Sequence, residues 1–287
     1  MPENYYKKYQ TEFEGFIDTA LKEDIGSGDH SSLSCIDPQS QSKAELLTKQ
    51  AGILGGMELA AKIFQRYDPL LQFDPLLTDG SKIKPGQKAF TISGSTLSIL
   101  ATERLVLNSL QRMSGIATLT HGLSQKIKHT QCKLLDTRKT TPNFRHAEKW
   151  AVLIGGGQNH RMGLFDALMI KDNHVDFCGG MTQALQKTEA YLRRLEKPLE
   201  VVVECRNSKE IEATLPFSFV SRILLDNHSI PQLKEALVQI DNQKPTEASG
   251  NITEDKLVAV AETGVNFISM GALTYDAKSI DLSLKAV

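Results

Sequence analysis

The stretch from residue 222 to residue 250, RILLDNHSIPQLKEALVQIDNQKPTEASG, contains one full repeat of the pattern that decides the fold. The apolar run Arg222–Leu225 predicts a buried strand, and a second strand is predicted at Thr246–Ala248. Between them, apolar residues at positions 230, 233, 237 and 240 follow helical spacing. Because two parallel strands need a crossover of this kind, the stretch predicts a βα unit of a parallel sheet.

The same alternation extends over the chain from residue 115. Further strands are predicted at 133–136, 167–170, 199–203 and 266–269, and a helix with apolar residues at 144, 147, 151 and 154 follows the first of them. Six such units fit either an open doubly wound sheet or a β/α barrel with fewer than eight strands. Periodicity alone does not choose between these two architectures.

The first third of the chain has a different pattern. Helices are predicted at 12–24 and 56–66, and short strands at 44–48, 89–93 and 96–100, with Gly and Pro residues between them. This mixture predicts a small α+β domain with an antiparallel sheet. A long helix predicted at 101–113 leads out of that domain.

Composition excludes several classes of protein. With 287 residues, 40% of them apolar, and a net charge of −1, the chain is neither disordered nor a sequence-independent binder of nucleic acid. It has no apolar run long enough for a membrane helix, and its start lacks the apolar segment of a signal peptide, so we expect a cytoplasmic protein with no membrane partner. The four cysteines lie far apart without a C-x-x-C pair, which fits a reducing compartment.

Charged residues follow several of the predicted strands. Ligands bind at the carboxyl ends of the strands in both architectures, so these side chains are expected to meet at one edge of the sheet. Five basic residues belong to this group: Arg138, Lys139, His160, Arg161 and Lys171. A cluster of this kind favours a multiply charged anion, although any single member is more often a solvated charge in an exposed ion pair.

Two carboxylates and two glycine-bearing segments complete the predicted edge. Glu204 and Asp226 can hold Mg²⁺ or ribose hydroxyls, stabilise positive charge on a reacting carbon, or simply neutralise the basic residues. The glycine-bearing ends Ser249-Gly250 and Gly271 resemble a phosphate site, since glycine lets backbone N–H groups approach phosphate oxygens, although a glycine after a strand is most often just part of a turn. The residues alone therefore predict a β/α enzyme for a small, polyanionic, phosphorylated substrate.

Several longer motifs occur in order along the chain. They are EDIGSGD at 23–29, ERLVLN at 103–108, SGIAT at 114–118, LDTRKTTP at 135–142, GGGQNHRMGL at 155–164, IKDNH at 170–174, LLDN at 224–227, EASG at 247–250 and SMGALT at 269–274. The series resembles the quinolinate phosphoribosyltransferases, also called nicotinate-nucleotide pyrophosphorylases (carboxylating), over nearly the whole chain. Members of that family convert quinolinate and phosphoribosyl pyrophosphate to nicotinate mononucleotide, CO₂ and pyrophosphate with Mg²⁺, a step of NAD biosynthesis.

The resemblance also implies an architecture. It implies an N-terminal α/β sandwich domain over residues 1–114 and an incomplete β/α barrel over 115–275, with a tail at 276–287 that packs back on the N-terminal domain. It further implies a homodimer or a hexamer, in which the N-terminal region of one subunit covers the barrel mouth of its neighbour.

The resemblance implies a role for each residue of the site. Quinolinate would be held by Arg138, His160, Arg161 and Lys171, and by Arg104 of the partner subunit. Lys139 and Lys171 would face the pyrophosphate, while Glu204 and Asp226 would contact ribose hydroxyls or Mg²⁺. The catalytic group would be Lys139, Lys171, Glu204 and Asp226. The remaining substrate contacts would be Thr137 and the 5-phosphate segments Ser249, Gly250, Asn251, Ser269, Met270 and Gly271.

Two positions depart from the pattern of the family. Asn143 and Asn251 stand where many members have glycine, and asparagine tolerates left-handed backbone better than most residues.

Three rival functions remain open from the sequence. A phosphoribosyltransferase of the same fold could act on a different acid, such as nicotinate. Lys171 could form a Schiff base with a carbonyl substrate, which would make the protein an aldolase-like enzyme. A sensor that binds phosphorylated ligands would bind them without releasing pyrophosphate.

Overall fold

The computed structural model of the chain describes residues 5–195 and 197–287. Residues 1–4, which the predicted N-terminal domain includes, lie outside the described residues, as does residue 196 of the predicted barrel domain. The described residues form two compact units. Unit 1 comprises the described residues up to His121 together with 139–156 and 272–287, and unit 2 comprises 122–138 and 157–271. The domain limits expected at 114/115 and 275/276 stay predictions.

The elements of the first half of the chain alternate short strands with helices. In chain order they are α1 (Tyr5–Lys8), α2 (Gln10–Ile25), α3 (His30–Cys35), β1 (Gln41–Thr48), β2 (Gly52–Ile53), α4 (Met57–Tyr67), β3 (Gln72–Pro75), β4 (Lys82–Ile83), β5 (Lys88–Ser95) and α5 (Thr96–Lys126).

The second half has the regular alternation that its sequence predicts. Its elements are β6 (Lys133–Leu135), α6 (Arg145–Ile154), β7 (Ala167–Ile170), α7 (Asp172–Cys178), α8 (Met181–Leu192), β8 (Glu200–Cys205), α9 (Ser208–Thr214), β9 (Arg222–Asp226), α10 (Ile230–Ile240), β10 (Thr246–Ser249), α11 (Glu254–Ala261), β11 (Phe267–Ser269), α12 (Ala272–Tyr275) and β12 (Leu282–Ala286).

Unit 1 is built around an antiparallel sheet with the strand order β12-β1-β5-β3. Leu46 of β1 lies opposite Leu284 of β12 and Phe90 of β5, and both Leu46 and Phe90 are fully buried. The antiparallel α/β character expected for the N-terminal part is therefore confirmed. The pairing also shows that residues 282–286 form the edge strand of this sheet, next to β1.

The start of the long helix corrects one prediction. Residues 96–100 were expected to form a strand and 101–113 a helix, but α5 begins at Thr96 and continues to Lys126. The Ser95 hydroxyl accepts a hydrogen bond from the Ser98 N–H at 3.3 Å, as a helix-capping serine does. Because the apolar run at 97–100 is short, its pattern suits either a strand or the buried face of a helix.

Unit 2 contains a six-stranded sheet whose neighbouring strands all pair in parallel. Its strand order is β6-β11-β10-β9-β8-β7. The six strands match the six predicted from the sequence to within two residues at each end. Since all carboxyl ends lie at one edge, the residues that follow the strands share that edge.

Two local features of the sequence explain why the crossover helix α10 forms where it does. In α10, the Ser229 hydroxyl and the Gln232 side chain form a capping box, and Pro231 occupies the first turn. The buried positions Leu233, Ala236 and Ile240 then line one face of the helix, as the sequence pattern predicts.

Candidate active site

Three charged side chains come from neighbouring strands at the carboxyl edge of unit 2. Asp226 ends β9, Glu204 lies near the end of β8, and Lys171 follows β7 directly. The Lys171 Nζ is 3.4 Å from Glu204 Oε2, and the Glu204 side chain is only 8% exposed. Burial raises the pKa of the Glu204 carboxyl; Lys171 lowers it, whereas the negative charge of Asp226 raises it further. The edge therefore holds two carboxylates whose mutual repulsion a bound cation would relieve.

Two guanidinium groups lie close together beside these strands. Burial lowers the pKa of the half-buried Arg161, and the positive charge of Arg138 lowers it further, while Asp166 acts in the opposite direction. The Arg161 Nη1 donates to the carbonyl of Ala167 at 3.1 Å. A second positive charge acting on a half-buried guanidinium favours the binding of a carboxylate or a phosphate.

The segment that carries Arg161 is fixed by several hydrogen bonds. The buried Asp136 carboxylate accepts from the backbone N–H of His160 at 2.9 Å and from Asn159 Nδ2 at 2.5 Å. On the other side, the Asp166 carboxylate accepts from the N–H groups of Met162 and Gly163. These hydrogen bonds constrain the backbone of the loop, which is the condition for presenting a charged side chain accurately.

The His160 ring points into a polar group within the sheet. Its Nε2 is 3.2 Å from Glu247 Oε2, and the two side chains are 7% and 0% exposed. Arg222 Nη1 donates to the same carboxylate oxygen at 2.9 Å, and its guanidinium lies over the ring of Phe267. Burial raises the pKa of Glu247, but its contacts with His160, Ser269 and Arg222 outweigh that effect and leave the pKa below its ordinary value.

Sequence reasoning did not select Glu247 or Arg222 as functional residues. The available signal was a glutamate in the middle of the predicted strand at 246–248, where its neighbours Thr246 and Ala248 are buried. A carboxylate buried in a strand needs a charged or hydrogen-bond-donating partner, so a glutamate at this position predicts that such a partner lies beside it.

The glycine-bearing segment after β10 is joined to the end of β9. The Asn227 N–H donates to the Ser249 carbonyl at 2.9 Å, and Asn251 Nδ2 donates to Asn227 Oδ1 at 3.0 Å. Gly250 has φ +89°, and a Cβ added there would lie 2.3 Å from Asn227 Oδ1. Asn251 itself has φ +49°, so the position that departs from the family pattern has left-handed backbone, as does Asn143 at φ +62°.

The residues predicted to bind substrate are divided between the two units. Thr137, Arg138, His160, Arg161, Lys171, Glu204, Asp226, Ser249, Gly250, Asn251, Ser269, Met270 and Gly271 belong to unit 2. Arg104 and Lys139 belong to unit 1 and are both exposed there.

Unit 1 holds the segment after Lys139 with a buried ion pair. The Glu148 carboxylate is fully buried and accepts from Arg112 Nε at 3.0 Å, from the Thr141 N–H at 2.9 Å and from the Thr141 hydroxyl at 2.8 Å. The Thr274 hydroxyl donates to the Lys139 carbonyl at 2.8 Å. These contacts fix the backbone from 139 to 141 and leave the Lys139 side chain at the surface of the unit.

No group of three or more His, Cys, Asp or Glu side chains in the described ranges is arranged to hold a metal ion. Glu204 and Asp226 nevertheless suit Mg²⁺, because this ion is commonly held by one or two carboxylates together with substrate phosphates and water. Burial first, and then the negative charge of Asp226, raise the pKa of Glu204.

The carboxyl edge of this parallel β/α sheet carries two guanidinium groups, two carboxylates and a glycine-bearing segment. Together these features define a class of enzymes that act on phosphorylated anions. Family models agree with this class and specify it. A model of the quinolinate phosphoribosyl transferase C-terminal domain matches residues 116–285, and one of the N-terminal domain matches residues 29–114.

Similar proteins include plant enzymes and a bacterial structure. The chain is 42% identical over 289 aligned positions to quinolinate phosphoribosyltransferase [decarboxylating] 1b of Nicotiana tabacum, covering 96% of this chain and 82% of that protein. It is 41% identical to the chloroplastic nicotinate-nucleotide pyrophosphorylase [carboxylating] of Oryza sativa, covering 94% and 76%. The structure of the nicotinate-nucleotide pyrophosphorylase from Francisella tularensis superposes with a TM-score of 0.89 at 37% identity, covering 96% of both chains. The chain belongs to the quinolinate phosphoribosyl transferase family.

Proposed function

We propose that Arg138, Arg161 and Lys171 bind the two carboxylates of quinolinate for the reaction of this family. In that reaction the phosphoribosyl group of phosphoribosyl pyrophosphate is transferred to quinolinate, and nicotinate mononucleotide, CO₂ and pyrophosphate are formed. The observation that carries the assignment is the half-buried Arg161 guanidinium, on which the positive charge of Arg138 acts. A dicarboxylate would neutralise both groups and make their proximity favourable.

The phosphate of the sugar is assigned to the two segments that follow β10 and β11. Backbone N–H groups of Ser249–Asn251 and Ser269–Gly271 would cradle the 5-phosphate. The positive φ of Gly250 and its closeness to Asn227 support this role, since a side chain at this position would have no room. Thr137, at the end of β6, would contribute a further polar contact.

Glu204 and Asp226 are assigned to the ribose. When pyrophosphate departs, the anomeric carbon of the sugar gains cationic character, and a carboxylate nearby lowers the energy of that state. The pyridine nitrogen of quinolinate then bonds to this carbon. The ring nitrogen becomes positively charged and stabilises the electron pair that stays on the adjacent ring carbon when its carboxylate leaves as CO₂. A proton from water then takes the place of the carboxylate on that carbon. No covalent bond to the protein is needed, so the Schiff-base role of Lys171 is not required.

Mg²⁺ would be held at Glu204 and Asp226, mostly through the substrate, and would supply positive charge for the departing pyrophosphate. Lys171 would face the same group from β7. Lys139 belongs to unit 1, and we assign it to pyrophosphate. Arg104 also belongs to unit 1, and we assign it to quinolinate in the site of a partner subunit.

We further propose that the protein is a homodimer or a hexamer. Unit 2 exposes large apolar side chains at Leu164, Phe165 and Phe177, which are 71%, 71% and 91% exposed. Exposed apolar surface of this kind favours association. The test is the mass in solution, together with mixing of an Arg104→Ala variant and an Arg161→Ala variant. If the sites are shared between subunits, the mixture regains activity that neither variant has alone.

A cytoplasmic location is proposed on the four cysteines, all of which are free thiols. None of the helices in the described ranges could cross a membrane. Because the rice relative is described as chloroplastic, the location needs a direct test by fractionation of the source cells.

The deciding experiment for the site is a comparison of substrates with the purified protein. Incubation with quinolinate, phosphoribosyl pyrophosphate and Mg²⁺ should release CO₂ and form the mononucleotide, and nicotinate should be a poor substitute. Equal turnover of the two acids would contradict the assignment of Arg138, Arg161 and Lys171 to two carboxylates. Trapping of a carbonyl substrate on Lys171 by borohydride would support the aldolase-like alternative instead.

A further inference from the structure

We propose that Glu247 is a positioning residue for the quinolinate site. Glu247 holds the ring of His160, and this ring in turn holds the backbone of Arg161. The proposal rests on the assignment of Arg161 to quinolinate. It differs from the sequence-based expectation that His160 itself contacts the substrate, and it gives a function to a buried carboxylate that the reaction does not otherwise use.

The first step concerns the two nitrogens of the His160 ring. The Arg161 N–H donates to Nδ1 at 2.8 Å, so this nitrogen carries a lone pair. The hydrogen-bond pattern therefore assigns the ring proton to Nε2, which is 3.2 Å from the Glu247 carboxylate. A neutral imidazole has one donor and one acceptor, and both face protein groups here. Both nitrogens of the ring therefore already lie against protein atoms.

The second step concerns the charge of the buried group. Glu247 is fully buried, but Arg222 already neutralises it through a contact of 2.9 Å. The carboxylate therefore does not need a protonated histidine for its own stability. Its second contact is instead available to fix the orientation and the tautomer of His160, as carboxylates do for histidines in many active sites.

The third step connects the ring to Arg161. The positive charge of Arg138 acts on the Arg161 guanidinium and does not stabilise its present position. Within the part of the chain that the structure describes, the Arg161 side chain makes one hydrogen bond, to Ala167. Otherwise the position of the Arg161 side chain depends on the backbone that carries it. The His160 ring accepts a hydrogen bond from the Arg161 N–H, and Asp136 accepts one from the neighbouring His160 N–H. Loss of Glu247 should let the ring turn and Arg161 move away from Arg138.

Two replacements of His160 separate the two links. In His160→Asn, the amide oxygen can still accept the Arg161 N–H, but the contact with Glu247 is lost. In His160→Gln, the longer amide can still donate to Glu247, but the acceptor for Arg161 is lost. If both links are needed, each variant weakens quinolinate binding, and so does Glu247→Leu, which removes the acceptor for the ring.

The test measures dissociation constants for quinolinate and for phosphoribosyl pyrophosphate by calorimetry. The proposal predicts that Glu247→Leu and His160→Asn each weaken quinolinate binding on the order of tenfold and change binding of phosphoribosyl pyrophosphate by less than about twofold. Combined in one chain, the two changes should be no worse than either alone, because they break the same link. Additive losses, or unchanged quinolinate binding in Glu247→Leu, would overturn the proposal.

A matched control removes a similar contact elsewhere on unit 2. His129 Nε2 lies 3.1 Å from Glu262 Oε1 in an exposed pair. Glu262→Leu should leave both dissociation constants unchanged. If it weakened quinolinate binding as much as Glu247→Leu, the effect would not be specific to His160 and the proposal would fail.

A measurement on the unaltered protein covers the case in which Glu247→Leu does not fold. Nitrogen-15 NMR of histidine-labelled protein reports the protonation of each ring nitrogen, and the His160 signals are those missing from His160→Asn. The proposal requires a neutral ring with its proton on Nε2 near neutral pH, and any other form would refute it. This readout does not depend on turnover, so it stands even if quinolinate proves not to be the substrate.

Discussion

Replacement of Gly250 by alanine tests whether the segment after β10 has to keep its present shape to bind phosphate. An added Cβ would lie 2.3 Å from Asn227 Oδ1 and 2.8 Å from the Asn227 backbone nitrogen. Ordinary van der Waals contact begins at 3.4 Å, so the segment or Asn227 must move by 3.4 − 2.3, or 1.1 Å. A misplacement of about 1 Å can cost about 100-fold in rate. We therefore expect the KM for phosphoribosyl pyrophosphate to rise, with kcat/KM falling by about 100-fold.

Gly264 provides a matched control, because it has a similar backbone and an open environment. Its φ is +96°, close to the +89° of Gly250, but a Cβ added there meets nothing within 4 Å. Gly264→Ala should cost about 1–2 kcal/mol of stability for the left-handed backbone alone and leave kinetics unchanged. Gly250→Ala should cost the same plus about 1–3 kcal/mol for the close contact.

Both quantities are measurable with purified protein. Urea unfolding gives the two free-energy differences, and initial rates at varied phosphoribosyl pyrophosphate concentration give KM and kcat. If Gly250→Ala matched Gly264→Ala in stability and kept the original KM, then the segment would not need its present shape, and the assignment of the phosphate to it would be refuted.

Three further predictions concern other parts of the molecule. Arg161→Ala should lose about 2–5 kcal/mol of transition-state stabilisation in kcat/KM for quinolinate, because it leaves a substrate carboxylate unpaired, and near-normal turnover would contradict the site. Burial lowers the pKa of His146 below its ordinary 6.5, so the unfolded chain binds the proton more tightly, and the free energy of unfolding should fall from pH 7 to pH 5. In urea unfolding, His146→Gln should reduce this dependence of stability on pH. An unchanged dependence would exclude His146 as its cause. Glu148→Gln should destabilise the protein by about 3–5 kcal/mol, since it leaves Arg112 without its buried charge partner; a loss below about 1 kcal/mol would show that the pair is unimportant.

The parallel sheet was predictable because its strands are short, apolar and separated by amphipathic helices. The strand at 167–170 is confirmed residue for residue, and the others differ by at most two residues at either end. Once the strands are placed, their shared carboxyl edge follows from parallel pairing. Lys171, Glu204 and Asp226 could therefore be grouped from the sequence. The structure places Lys171 Nζ 3.4 Å from Glu204 Oε2, and Asp226 ends the strand next to that of Glu204.

The residues that sequence reasoning missed depend on tertiary contacts. Glu247 is important because a ring from a distant loop points at it, and no spacing rule relates residue 160 to residue 247. The strand expected at 96–100 is wrong for a local reason. Five residues are too few for their apolar pattern to distinguish a strand from a helix, and the Ser95 cap starts a helix there. The roles expected of Arg104 and Lys139 stay predictions, because they depend on how subunits assemble.

The edge position of β12 affects how the chain acquires its structure during synthesis. Strand β1 is made before unit 2, whereas its neighbour β12 follows all of unit 2. The nascent protein thus carries an open strand edge at β1 while unit 2 is being made, and such edges are templates for intermolecular pairing. Chains interrupted before residue 282 should therefore aggregate even though the whole β/α unit has been made.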